Sequence, residues 1–172
     1  MAPKVVLIGP PGADKSTIGL ALSQKLNTQF ADTDSLIEYK EERPISEIFV
    51  DNGEPYFRSV EQEIVLSALT SFDGVLALGG GAPLAAETQK ALFNSKAPVI
   101  YLEVSLATAA PRVGFNRDRP LLLGNPRAQW NELLEVRRPV YESLATVIVN
   151  VDKGTPEELS QEIINQITGI KK

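Results

Sequence analysis

The chain has 172 residues, 43% of them hydrophobic, enough for the buried core of one domain and with no sign of a second. A formal net charge of −5 argues against nucleic acid as the main partner, since that role usually needs a basic face. Cysteine and histidine are both absent, which excludes disulfides, thiolate metal sites and cysteine nucleophiles and leaves a carboxylate or lysine as any general base near neutral pH. No apolar run approaches the ~18 residues of a membrane span, and Met1 to Lys4 lead into a strand without a signal-peptide pattern. The expectation is a soluble cytoplasmic protein with no membrane partner.

The apolar run Val5-Val6-Leu7-Ile8 predicts a first strand, and a helical pattern runs from Lys15 to Leu26. Between them lies Gly9-Pro10-Pro11-Gly12-Ala13-Asp14-Lys15-Ser16-Thr17. A strand, a glycine-rich turn and a helix start can aim successive backbone N–H groups, and the positive end of the helix dipole, at one anion. Lys15 adds a point charge and the Ser16 hydroxyl can ligate Mg²⁺. The Walker A pattern is met except at its second glycine, where Asp14 stands. That position often needs positive φ, which Asp tolerates better than most residues. The carboxylate is the larger obstacle: at about 4 Å from a phosphate oxygen it repels by about 4 kcal/mol at an effective dielectric of about 20. An ordinary glycine-rich turn is the alternative; the strand before and the helix after favour a phosphate loop.

Gln29 to Asp34 reads as a second strand ending in Asp32-Thr33-Asp34, carboxylates on the rim where open α/β sheets bind ligands. Ser35 to Glu42 is helical in character, Pro44 to Phe49 begins another helical turn, and Asp51-Asn52-Gly53 is expected to break it. A long amphipathic helix follows over residues 54–71, with Phe57, Val60, Ile64 and Leu69 apolar; Arg58 and Glu61, three apart, read as a surface ion pair of little energetic value. Val75 to Leu78 predicts a third strand running into Gly79-Gly80-Gly81, where a ligand could approach the bare amides unless the triplet is a simple loop.

A helix over 85–95 precedes a fourth strand, Pro98 to Val104, and Ser105 starts a helix that Pro111 should end or kink. Six of the eight arginines, Arg112, Arg117, Arg119, Arg127, Arg137 and Arg138, fall between 112 and 138, a region without lysine. Arginine suits a bidentate grip on phosphate or carboxylate; for Arg127 and Arg138 a solvated helix face is the better reading. Gly114 to Pro126 is the most loop-like stretch, and its arginines make it a candidate mobile cover. A helix from Arg127 carries Trp130, Leu133 and Leu134, with a bend expected at Pro139. Thr146 to Val151 predicts the fifth strand, and Thr155-Pro156-Glu157-Glu158 the capped start of a last helix with Leu159, Ile163 and Ile167 inward. The alternation implies one α/β domain over residues 1–172: a five-stranded parallel sheet with helices on both faces.

In order and spacing, the phosphate-loop stretch, Asp32-Thr33-Asp34, Phe57-Arg58, the glycine triplet, Arg119-Pro120-Leu121-Leu122, and Arg137 with Pro139 and Tyr141 resemble the shikimate kinases over about residues 4–165. The resemblance implies a three-layer fold of the phosphate-loop kinase type, a substrate-binding segment at about 33–61 and a lid at about 112–125. The implied reaction moves the γ-phosphoryl of ATP to the 3-hydroxyl of shikimate, with Mg²⁺. By the same resemblance Gly12, Ala13, Asp14, Lys15, Ser16 and Thr17 would hold the phosphates, Lys15 on the β and γ groups, while Ser16 and Asp32 serve the metal. Asp34 would orient the attacking hydroxyl, Arg58 and Arg137 clamp the carboxylate, and Gly79, Gly80 and Gly81 line the ring. Arg119 would swing in with the lid, with Arg112 and the loop before Pro156 beside the adenine; a monomer is implied too. Asp14 departs from the family pattern, as does Asn52 where an acidic residue is expected. A kinase of another small hydroxy acid such as gluconate, or a binding protein that lost catalysis through Asp14, stays open.

Overall fold

The computed structural model of the protein describes residues 2–113 and 125–170. Strands β1 (Val5–Ile8), β2 (Gln29–Asp32), β3 (Gly74–Ala77), β4 (Val99–Glu103) and β5 (Val147–Asn150) form one parallel sheet in the order β2-β3-β1-β4-β5. β1 and β3 are buried along their whole length, which is why they read as unbroken apolar runs rather than alternating ones. The helices α1 (Lys15–Lys25), α2 (Thr33–Glu41), α3 (Ile45–Asn52), α4 (Glu54–Ser71), α5 (Ala86–Asn94), α6 (Leu106–Val113), α7 (Pro126–Leu144) and α8 (Pro156–Ile170) cover it. α1 packs on α8, held at the edge by Lys25–Glu157 at 3.0 Å, while α5 packs between α4 and α7. The last helix has the anticipated cap: Glu158 Oε1 accepts from the Thr155 N–H at 2.9 Å and Thr155 Oγ1 from the Glu158 N–H at 3.2 Å.

Several boundaries differ from the sequence expectation. β2 ends at Asp32, not at Asp34, because Asp32 Oδ1 accepts from the Asp34 N–H at 2.8 Å and so caps α2. Asp51 and Asn52 stay helical in α3, tied by Arg43, which donates to Asp51 at 3.1 Å and to Asn52 at 2.5 Å; only Gly53, at φ 85°, breaks the chain. Of the two outcomes expected at Pro111, an end or a kink, the helix does not end there, and α7 runs on through Pro139, where a bend is expected. Each lies on a solvent-exposed face, as do Ala107 and Glu135 one turn earlier, so water can take up the carbonyl that the proline leaves unbonded.

The main core joins the sheet to α1, α8 and the inner face of α7. A second, smaller cluster of Ile37, Ile45, Ile48, Phe57 and Val60 lies within the segment 33–61. α4 belongs to both: Phe57 and Val60 to the small cluster, Val65, Ala68 and Leu69 to the large one.

Candidate active site

The loop after β1 takes its shape from tight contacts. A Cβ on Gly9 would lie 2.7 Å from the Leu102 carbonyl oxygen, and one on Gly12, at φ 87°, 2.7 Å from Ala109 Cβ. Asp14 occupies the left-handed region at φ 70°, ψ 33°, where the sequence expected it, and no side-chain bond from it caps α1. Lys15 Nζ donates back to the Gly9 carbonyl at 2.7 Å and the Pro10 carbonyl at 3.2 Å, which seats the ammonium at the mouth of the loop. Ala13 is fully buried, and Thr17 is exposed on the first turn of α1. Two groups from distant sequence brace the rim: Arg112 Nη1 donates to the Gly12 carbonyl at 3.1 Å, and Trp130 Nε1 to the Pro11 carbonyl at 2.9 Å.

Ser16 Oγ donates to Asp32 Oδ2 at 2.5 Å. A hydroxyl and one carboxylate are hard oxygen donors, and no group of three or more acidic, histidine or cysteine side chains suited to a metal occurs among the described residues. This donor set fits Mg²⁺, which is usually held by one or two protein ligands, with waters and phosphate oxygens completing the octahedron. A cleft of about 360 Å³ joins these residues: Gly12, Asp14, Lys15, Ser16 and Arg112 on one side, Asp32, Asp34, Gly79 and Gly80 on the other.

The glycine triplet stands between that cleft and a second one of about 660 Å³, which Arg58, Glu61, Gly81 and Arg137 help to line. None of the three glycines has positive φ, so backbone freedom is not why glycine is needed. Proximity is. A Cβ would lie 2.5 Å from Asp34 Oδ1 at Gly79, 3.0 Å from Arg137 Nη1 at Gly80, and 2.6 Å from Arg58 Nη1 at Gly81. The space a side chain needs is taken by the charged groups of α2, α4 and α7. Thr33 Oγ1 accepts from the Gly79 N–H at 3.0 Å, and Tyr141 Oη donates to the Gly80 carbonyl at 2.6 Å, fixing the triplet from both sides.

Glu61 is the residue that the sequence reading misjudged. It is 4% exposed, its Oε1 accepts from Arg58 Nη1 at 2.8 Å, and its Oε2 is 3.1 Å from where a Gly79 Cβ would lie. Arg58 also reaches Glu54 at 3.2 Å. Burial disfavours the Arg58 charge, but Glu61 and then Glu54 outweigh it and hold the guanidinium above the ordinary arginine value. The pair is a partly buried fixture, not a surface ornament. Helical spacing carried the signal: Glu61 follows Phe57 by one turn and precedes Val65 by one, so it lies on the inward face.

The structure brings together Lys15, Ser16, Asp32, Asp34, Arg58, the triplet and Arg137, the last only 4% exposed. Arg127 and Arg138 are exposed on α7. Pro156 opens α8 and lines neither cleft. Arg117, Arg119 and residues 114–124 of the expected lid lie outside the described residues.

Residues 11–168 match the family model described as shikimate kinase. The shikimate kinase of Salinispora arenicola is 50% identical over 163 residues, 95% of this chain and 96% of that protein. The shikimate kinase of Streptomyces coelicolor is 48% identical over 166 residues, 96% of each. A solved shikimate kinase from Acinetobacter baumannii in complex with shikimate superposes with a TM-score of 0.93 at 32% identity, over 99% of this chain and 95% of that one.

Proposed function

The chain belongs to the shikimate kinase family, and from that premise we propose a division of labour among its residues for moving a phosphoryl group from ATP to a shikimate hydroxyl. The carrying observation is that two guanidinium groups and two carboxylates crowd the same three glycines beside an anion-binding loop. Shikimate pairs one carboxylate with several hydroxyls, so it needs both kinds of partner.

The backbone of Gly12 to Thr17 cradles the nucleotide phosphates, with Lys15 neutralising the β and γ groups. Ser16 and Asp32 would hold Mg²⁺, which would screen phosphate charge. Arg58 and Arg137 grip the shikimate carboxylate, and Gly79 to Gly81 let the ring lie close. Asp34, next to Gly79, orients the 3-hydroxyl toward the γ-phosphorus and receives its proton as the new P–O bond forms and the bond to the ADP oxygen breaks. Arg119 stabilises charge on the transferring group, and Arg112, with the start of α8 at Pro156 outside the two clefts, borders the adenine. With no histidine in the chain, catalysis rests on alignment and electrostatics, as phosphoryl transfer allows. The enzyme works as a cytoplasmic monomer on small molecules: the family resemblance alone supports the monomer, the net charge is unsuited to nucleic acid, and among the described residues no helix is long and apolar enough to cross a membrane.

The test is ADP release across a panel of hydroxy acids. Turnover with shikimate and none with gluconate is the expected outcome; preference for gluconate would move the chain to the rival acceptor. Asp14, in the cleft with its backbone already strained, bears on rate and not on the identity of the reaction.

A further inference from the structure

Helix α7 touches both halves of the site through uncharged donors. Trp130, 2% exposed, donates its indole N–H to the Pro11 carbonyl at 2.9 Å. About three turns further on, Tyr141, 0% exposed, donates its hydroxyl to the Gly80 carbonyl at 2.6 Å. Neither carbonyl belongs to a helix or strand, so these bonds help to orient two otherwise irregular backbone segments, alongside Lys15 and Arg112 on the first and Thr33 on the second. The segments also meet each other: a Cβ on Gly80 would lie 3.3 Å from Pro11 Cδ and 3.0 Å from Arg137 Nη1. Phosphate-loop rim, glycine triplet and α7 therefore close a triangle. The Tyr141 ring is further held by Tyr101 of β4, with centroids 5.1 Å apart, and its hydroxyl, like any phenol, is a donor in the neutral range, with burial pushing its pKa higher still.

We propose that α7 is a gauge that sets the distance between the nucleotide loop and the acceptor triplet, with Trp130 positioning the first and Tyr141 the second. Neither side chain touches a reacting atom. Trp130 acts through the Pro11 carbonyl and Tyr141 through the Gly80 carbonyl and the Arg137 guanidinium beside it, and a shift of about 1 Å in either segment is enough to spoil an in-line approach. The proposal rests on the kinase reading above.

Trp130→Phe and Tyr141→Phe each keep an aromatic ring and remove one donor. Calorimetry on the full chain, with ADP alone and with shikimate alone, reads the two roles apart. Trp130→Phe should weaken ADP about three- to tenfold and leave shikimate within about twofold, and Tyr141→Phe should do the reverse. Both should lower kcat at saturating substrates, because misalignment survives saturation. Equal losses for both ligands in each variant, in step with a lowered Tm, would reduce the two bonds to general packing and overturn the proposal, as would unchanged affinities. Shikimate-dependent ADP release by the unaltered chain, assayed alongside, tests the kinase reading separately.

Discussion

The two halves of the site are built by opposite means. The nucleotide half is backbone: a single contiguous loop shaped by Gly9 and Gly12, with Lys15 folded back on its own carbonyls. The acceptor half is side chains: Asp34 from α2, Arg58 and Glu61 from α4 and Arg137 from α7, all pressed on three glycines. A backbone cage recognises a charge and little else, and it tolerates changes that leave its amides aimed. A convergence of side chains recognises a shape, and each member is held by the others. Substitutions should therefore separate cleanly by ligand.

The largest effect is expected from Arg58→Ala. It removes one grip on the carboxylate and takes the Arg58 charge away from Glu61, and truncating one partner of a partly buried, hydrogen-bonded charge pair costs on the order of 2 kcal/mol. kcat/KM for shikimate should fall on the order of a hundredfold or more while KM for ATP holds; a comparable loss on the ATP side would erase the contrast. Next is Asp14→Gly, which removes a carboxylate from the cleft and relieves a non-glycine residue at φ 70°. The repulsion of about 4 kcal/mol at an effective dielectric of about 20 is a ceiling that solvent around the half-buried Asp14 lowers, so kcat/KM for ATP should rise by about an order of magnitude or more, with shikimate affinity unchanged. Equal kinetics for the two forms would mean that the carboxylate is already neutralised or turned aside.

Glu61→Gln sharpens the comparison further. It keeps an acceptor for Arg58 and removes the charge, so KM for shikimate should rise about tenfold, the loss of one charge-assisted hydrogen bond, without change in ADP binding. The smallest expected effect is on stability. Burial raises the Tyr141 hydroxyl above its ordinary value of 10.0, so the fold favours the protonated form. That contribution is complete below the unfolded value and is lost as pH rises past it. Urea midpoints should decline above about pH 10, and less steeply in Tyr141→Phe; parallel declines would remove Tyr141 as the cause.

The same contrast governs what could be read from the chain. The phosphate loop was legible because its parts are adjacent: an apolar strand, glycines, Lys15 and a helix start lie in one run, and even the left-handed backbone at Asp14 followed from its place in the motif. The order of strands and helices was legible for the same reason, as hydrophobic period is local. The acceptor half was not. That Arg137 meets Gly80 depends on how α7 crosses the sheet, which only the family resemblance supplied. Glu61 was misjudged because an Arg–Glu pair at helical spacing looks alike on an outer or inner face until the apolar neighbours Phe57 and Val65 are counted with it. The triplet was recognised as special for an incomplete reason, since its glycines make room for the protein's own charges as well as for a ligand. Whether Pro111 would end its helix or only kink it was not legible, because the sequence does not say which carbonyls face water.

The small apolar cluster of Ile37, Ile45, Ile48, Phe57 and Val60 has a consequence for how such a chain can change. It shares no buried member with the large core, and α4 alone runs through both. Residues 33–61 thus carry their own packing with them. Evolution, or a designer, can exchange that stretch for one shaped to a different acid and leave the sheet beneath it undisturbed, provided the second half of α4 keeps its hold.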